Sequence, residues 1–181
     1  MKNMIGFWHP FGAHGGETRK HIIRRKRLEI KNNGWTLWSF QYRRDETLGQ
    51  WLNKTKSKNR VFVFCSDSEG ARDPIGDRFN TKQFRWRVSD KWIDIPKMIK
   101  IPHPFGTENY ACAFVVKSIY GPEKIKIPGG IKWFCVQDGK WREDNLPTRG
   151  EYMIKSGGKC KLRKIYSVLE LTSPYVVSIK K

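Results

Sequence analysis

Two short apolar runs set the limits on what this chain can fold into. Residues 60–65 (RVFVFC) and 109–120 (NYACAFVVKSIY) are rich in Val, Phe and Ile. The first is too short for a core helix, and both match the β-branched and aromatic preference of strands. An apolar run without alternation predicts a buried core strand. The rest of the chain has to be arranged around such strands, because it has little else to bury. Only 38% of the 181 residues are hydrophobic, and 36 Lys and Arg stand against 17 Asp and Glu, for a net charge of +19.

Other segments add elements around these two. Residues 4–8 read as a first strand that runs into a glycine-containing loop, followed by a helix over 17–33 that stops at Asn33-Gly34. Residues 35–42 (WTLWSFQY) read as an aromatic strand, and 47–54 as a short helix with Leu48, Trp51 and Leu52 on one side. Residues 66–77 read as a loop, and 83–88 as an alternating strand with Phe84, Trp86 and Val88 opposite Arg85 and Arg87. Strands at 132–137 and 140–142 bracket the turn signal Asp138-Gly139. Strands at 166–171 and 175–179 flank Thr172-Ser173-Pro174 and read as a closing pair. The expected fold is therefore α+β: a small, curled, mainly antiparallel sheet or barrel with two or three flanking helices. One domain over 1–181 is expected, with 121–181 as a possible C-terminal extension.

The charge is unevenly spread. Residues 1–60 carry 14 basic and 4 acidic side chains, 61–96 carry 6 of each, and 97–181 carry 16 and 7. The densest stretch lies inside the expected helix, where Lys20, Arg24, Arg27 and Lys31 recur at helical spacing. They form one narrow stripe, with Ile22, Ile23 and Ile30 on a separate face that can be buried. Such a ridge can follow a phosphate backbone. Arg85 with Arg87 forms a second basic cluster, and Lys159, Lys161 and Arg163 form a third at strand alternation. Eight tryptophans accompany this charge. Trp8, Trp35 and Trp38, with His14, bracket the glycine loop and the helix, and are the candidates for a pocket that holds an unpaired or modified base.

Other chemistry is weakly signalled. His9-Pro10-Phe11-Gly12 recurs as His103-Pro104-Phe105-Gly106, with His14, Glu17 and Glu108 nearby, but the spacing matches no metal-site pattern, so neither metal nor cofactor is expected. Asp67, Glu69, Asp73 and Asp77 could serve a metal-dependent nuclease or nucleotide-processing enzyme, although no lysine follows at the spacing such enzymes use. Cys65, Cys112, Cys135 and Cys160 form no CxxC pair and read as buried thiols of a reducing compartment. No apolar run is long enough to span a bilayer. These readings predict a cytoplasmic, non-enzymatic protein that binds DNA or RNA, with a basic subunit of a ribonucleoprotein or phage assembly as an alternative.

The order of elements, above all Arg60–Cys65 followed by the strand within 113–119, resembles the PUA-like superfamily of EVE, ASCH and YTH domains. That resemblance is one of layout over most of the chain, without a motif matched residue by residue. It implies a small β-barrel that binds RNA or DNA, often with one base in an aromatic pocket.

Overall fold

The computed structural model describes residues 5–12, 17–40, 60–67, 85–88, 90–99, 111–121, 124, 132–135, 140–148, 151–156 and 159–180. In chain order these form strand β1 (Ile5–Phe11), helix α1 (Arg19–Asn33), β2 (Thr36–Phe40), β3 (Val61–Asp67), β4 (Arg85–Val88), β5 (Lys91–Asp94), β6 (Ala111–Tyr120), β7 (Lys132–Cys135), β8 (Lys140–Thr148), β9 (Glu151–Ser156) and β10 (Lys159–Lys180). Among the described residues the sheet is mainly antiparallel and is not closed. Among the described residues α1 is the one helix, where two or three were expected. The expected helix over 47–54 lies outside the described residues.

The chain divides into two compact units. The first comprises residues 1–12, 59–70 and 119–170. Its centre is β1, parallel to β3 from Ile5↔Val61 to Phe11↔Asp67 and parallel to β7 at Phe7↔Phe134. Phe7, Phe11 and all of Val61 to Cys65 are buried, as a strand covered on both faces requires. β10 runs antiparallel along the other edge of β3, with Val168 opposite Phe64 and Leu169 opposite Val63. A register shift between Ile165 and Ser167 interrupts that ladder. Tyr166 lies within it, exposed, its ring centroid 5.8 Å from that of Phe11. β7 pairs with β8, β8 with β9, and β9 with the first residues of β10, which links these strands to β1 and β3.

The second unit comprises residues 13–58, 71–118 and 171–181. Here β2 pairs antiparallel with β6, from Thr36↔Val116 to Phe40↔Cys112. The hairpin β4–β5 turns at Asp90, whose φ of 63° is a left-handed conformation that Asp tolerates better than most residues. The end of β10 pairs with β4 at Ile179↔Trp86. Leu37, Ile95, Ile99, Ala113, Val115, Val177 and Ile179 make the core, and Trp35 and Trp86 pack against it. The segments expected to close the fold as a strand pair are instead successive parts of β10. They take different partners, β3 and β4, rather than each other. The Ser173–Pro174 bond within this strand is cis, and Tyr175 has a φ of 65°.

Candidate nucleic-acid interface

Helix α1 is well delimited. Thr18 is the N-cap: its hydroxyl accepts from the His21 N–H at 3.3 Å, and its carbonyl accepts from Ile22 at 3.0 Å. At the other end Gly34, with a φ of 81°, donates its N–H to the Ile30 carbonyl at 2.7 Å. This is the left-handed stop that the Asn33-Gly34 pair predicts. The sequence placed Glu17 in the helix; it precedes the cap and is committed to another interaction.

The inward face of α1 is half ionic. Ile22 and Ile23 are buried, as expected, but so are Lys26 and Glu29. The Glu29 carboxylate accepts from Arg25 Nη1 at 2.8 Å and from Lys26 Nζ at 2.9 Å, and the Thr36 hydroxyl of β2 also donates to it. Arg25 reaches back to Glu17, with Nη2 at 2.7 Å and Nε at 3.1 Å from the carboxylate. Burial by itself raises the pKa of Glu29, but the neighbouring Lys26 ammonium and the hydrogen bonds hold it below its ordinary value. Burial moves Lys26 the other way, lowering it to about 8 despite the attraction of Glu29. Arg25 is disfavoured by burial, yet the bonds to Glu17 and the charge of Glu29 raise it overall.

The outward face carries a row of cations. Among the described residues Glu17 and Glu29 pair with Arg25 and Lys26. Lys20, Arg24, Arg27 and Lys31 are all exposed. At 1.5 Å per residue the four span about 16 Å along the helix, the rise of roughly five base steps. Leu28, 57% exposed, lies one turn from Arg24 and Lys31 on the same side.

The remaining candidates are distributed as follows. Arg85 and Arg87 are exposed on β4, paired with Asp94 at 3.2 Å and Asp90 at 2.7 Å. Exposed pairs of this type contribute about 0–1 kcal/mol and neutralise their arginines only in part. Trp38 is buried in the second unit at 5% exposure. Trp35 is half-buried and stacked on Trp86, with ring centroids 4.5 Å apart and planes 19° apart. The Trp8 backbone pairs with Phe64 and Cys135, which puts it in the first unit, apart from Trp35 and Trp38 in the unit division. Lys159, Lys161 and Arg163 also belong to the first unit, at alternate positions of the β9–β10 ladder. His14 lies outside the described residues, as do His103, Glu108, Glu69, Asp73 and Asp77.

Among the described residues no three His, Cys, Asp or Glu side chains are grouped to hold a metal ion. Burial lowers the His9 pKa to about 4, so its imidazole is neutral at physiological pH. Burial pushes the Cys65 thiol up to about 12, which removes thiolate reactivity. Among the described residues no helix is long and apolar enough to cross a membrane.

Sequence reasoning missed that Arg25 and Lys26 turn inward. The available signal was Glu29, placed at i+4 from one and i+3 from the other. It also missed a cluster of Arg60, Tyr120 and Glu170, which has no local signal because up to 110 residues separate its members. No protein-family model, curated protein or solved structure matches this chain.

Proposed function

We propose that this protein binds nucleic acid along the outward face of α1, with Lys20, Arg24, Arg27 and Lys31 on phosphates. One observation carries this reading. Glu17 and Glu29 pair with the inward cations Arg25 and Lys26, while four cations are exposed along one ridge of the helix. Such a ridge is self-repelling by a few tenths of a kcal/mol per like-charged i,i+4 pair, and a polyanion relieves the repulsion while releasing its own counterions. The net charge of +19 favours the same class of partner. A PUA-like relationship and an aromatic base pocket remain parts of the proposal. Of the pocket candidates, Trp35 is half-buried and stacked on Trp86, whereas Trp38 is enclosed by core.

The test is titration of labelled single- and double-stranded DNA and RNA at two salt concentrations, with native protein and an Arg24→Ala/Arg27→Ala variant. Binding at low salt that weakens both with salt and in the variant supports the proposal. Absence of binding at low salt, or equal binding by the variant, refutes it. Adding a divalent metal to the same titration separates binding from the nuclease alternative, which predicts cleavage.

A further inference from the structure

Arg60 is held in a way that leaves part of its guanidinium for a ligand. It immediately precedes β3 in the first unit. Its Nε donates to Glu170 Oε1 at 2.8 Å and its Nη2 to Glu170 Oε2 at 2.9 Å. Tyr120 Oη donates to the same Oε2 at 2.7 Å, so the carboxylate that anchors the arginine is itself fixed. The guanidinium carbon lies 4.8 Å from the centroid of the Phe62 ring. Phe62 is 1% exposed and Glu170 3%, whereas the Arg60 side chain is 51% exposed.

The donor count follows from these contacts. A guanidinium has five N–H groups, and the fork to Glu170 uses two. Tyr120 adds a further side-chain hydrogen bond to Arg60, so at least two N–H groups remain. The guanidinium carbon sits over the Phe62 ring, and half of the side chain is open to solvent. The charge is balanced by Glu170, which weakens Arg60 as a point attractor of phosphate. It leaves the flat face and the directed N–H edge intact, and a base can stack on a guanidinium plane as it stacks on an aromatic ring. The bond to Glu170 also fixes the rotamer beforehand, which lowers the ordering cost of binding.

The geometry points to Arg60 as a stacking platform for one unpaired base of a single-stranded nucleic acid, with Glu170 and Tyr120 as positioning residues. This rests on the nucleic-acid reading above and adds a preference for unpaired bases, served by a different unit of the protein.

The experiment compares native protein, Arg60→Lys and Arg24→Ala/Arg27→Ala on a single-stranded oligonucleotide and its duplex. Lysine keeps the charge and loses the plane and the fork. Arg60→Lys is expected to weaken single-strand binding roughly tenfold, leaving the salt dependence and duplex binding unchanged. Unchanged single-strand binding by Arg60→Lys, or equal loss on both oligonucleotides, overturns the assignment. Should Arg60→Lys fail to fold, native protein supplies the readout through arginine modification by phenylglyoxal, followed by mass spectrometry. Protection of Arg60 by the single strand and not by the duplex supports the platform, and equal modification with and without single strand overturns it. A helix variant that loses binding while Arg60→Lys matches native protein removes this inference alone. Failure of native protein to bind any oligonucleotide removes both readings.

Discussion

Replacing Glu29 by Gln tests the ionic arrangement under α1. Glu29 and Lys26 are each 4% exposed by side chain and lie 2.9 Å apart. Glutamine keeps nearly the same volume but removes the charge, so the Lys26 ammonium stays buried without its counter-ion. Arg25 is less affected, because Glu17 still holds it through Nε and Nη2. Breaking a buried pair from one side costs about 3–5 kcal/mol. In a chain of this length each kcal/mol shifts Tm by roughly 2–4 °C, so a fall of roughly 6–20 °C is expected. Replacing both partners, as Lys26→Met/Glu29→Met, removes the buried charges together and leaves chiefly the Thr36 hydroxyl without its acceptor, a cost of about 1–3 kcal/mol. Thermal and urea unfolding of the native protein, Glu29→Gln, the singles Lys26→Met and Glu29→Met, and the double variant give the loss and, from the Met cycle, the coupling energy. A Glu29→Gln loss below about 1 kcal/mol, or a double variant as unstable as the sum of the singles, would refute a coupled buried pair.

Two further outcomes follow from local features. Gly34→Ala places a Cβ at a φ of 81° with no neighbouring atom within 4 Å, so its cost is the left-handed strain alone, about 1 kcal/mol, read as a Tm loss of a few degrees. His9 has a folded pKa of about 4 against 6.5 when unfolded, so the unfolded chain takes up the proton first as pH falls. Stability is full above about 6.5 and falls by up to about 3 kcal/mol as pH drops to 4, and His9→Gln flattens that dependence in urea midpoints measured across the range.

The parts of the fold visible in the sequence were those encoded locally. Val61 to Cys65 of the run 60–65 fell in β3 and are buried, because an unbroken series of apolar side chains leaves no solvent side. The Asn33-Gly34 stop became the left-handed cap of α1, because glycine carries no Cβ. Long-range choices were not visible. Nothing near Pro174 states that one part of β10 pairs with β3 and the next with β4, so a hairpin was the natural expectation. The helix showed both limits. Its cationic stripe follows from spacing alone and is exposed, but periodicity does not distinguish a buried lysine from an exposed one. The fate of Lys26 depends on Glu29 and on Thr36, contributed by β2. Arg60 escaped notice because its anchor, Glu170, is far away in the chain.

The central claim is that the α1 ridge meets phosphates, and the salt dependence of binding tests it most directly. Duplex affinity is measured against salt concentration for native protein and for Lys20→Gln/Arg24→Gln/Arg27→Gln/Lys31→Gln, with helix content checked by circular dichroism. Each phosphate neutralised contributes about 0.9 to the slope of log K against log salt, so the variant's slope should be shallower by about 3 to 4. A folded variant whose slope equals that of native protein would contradict the claim and place the contacts elsewhere.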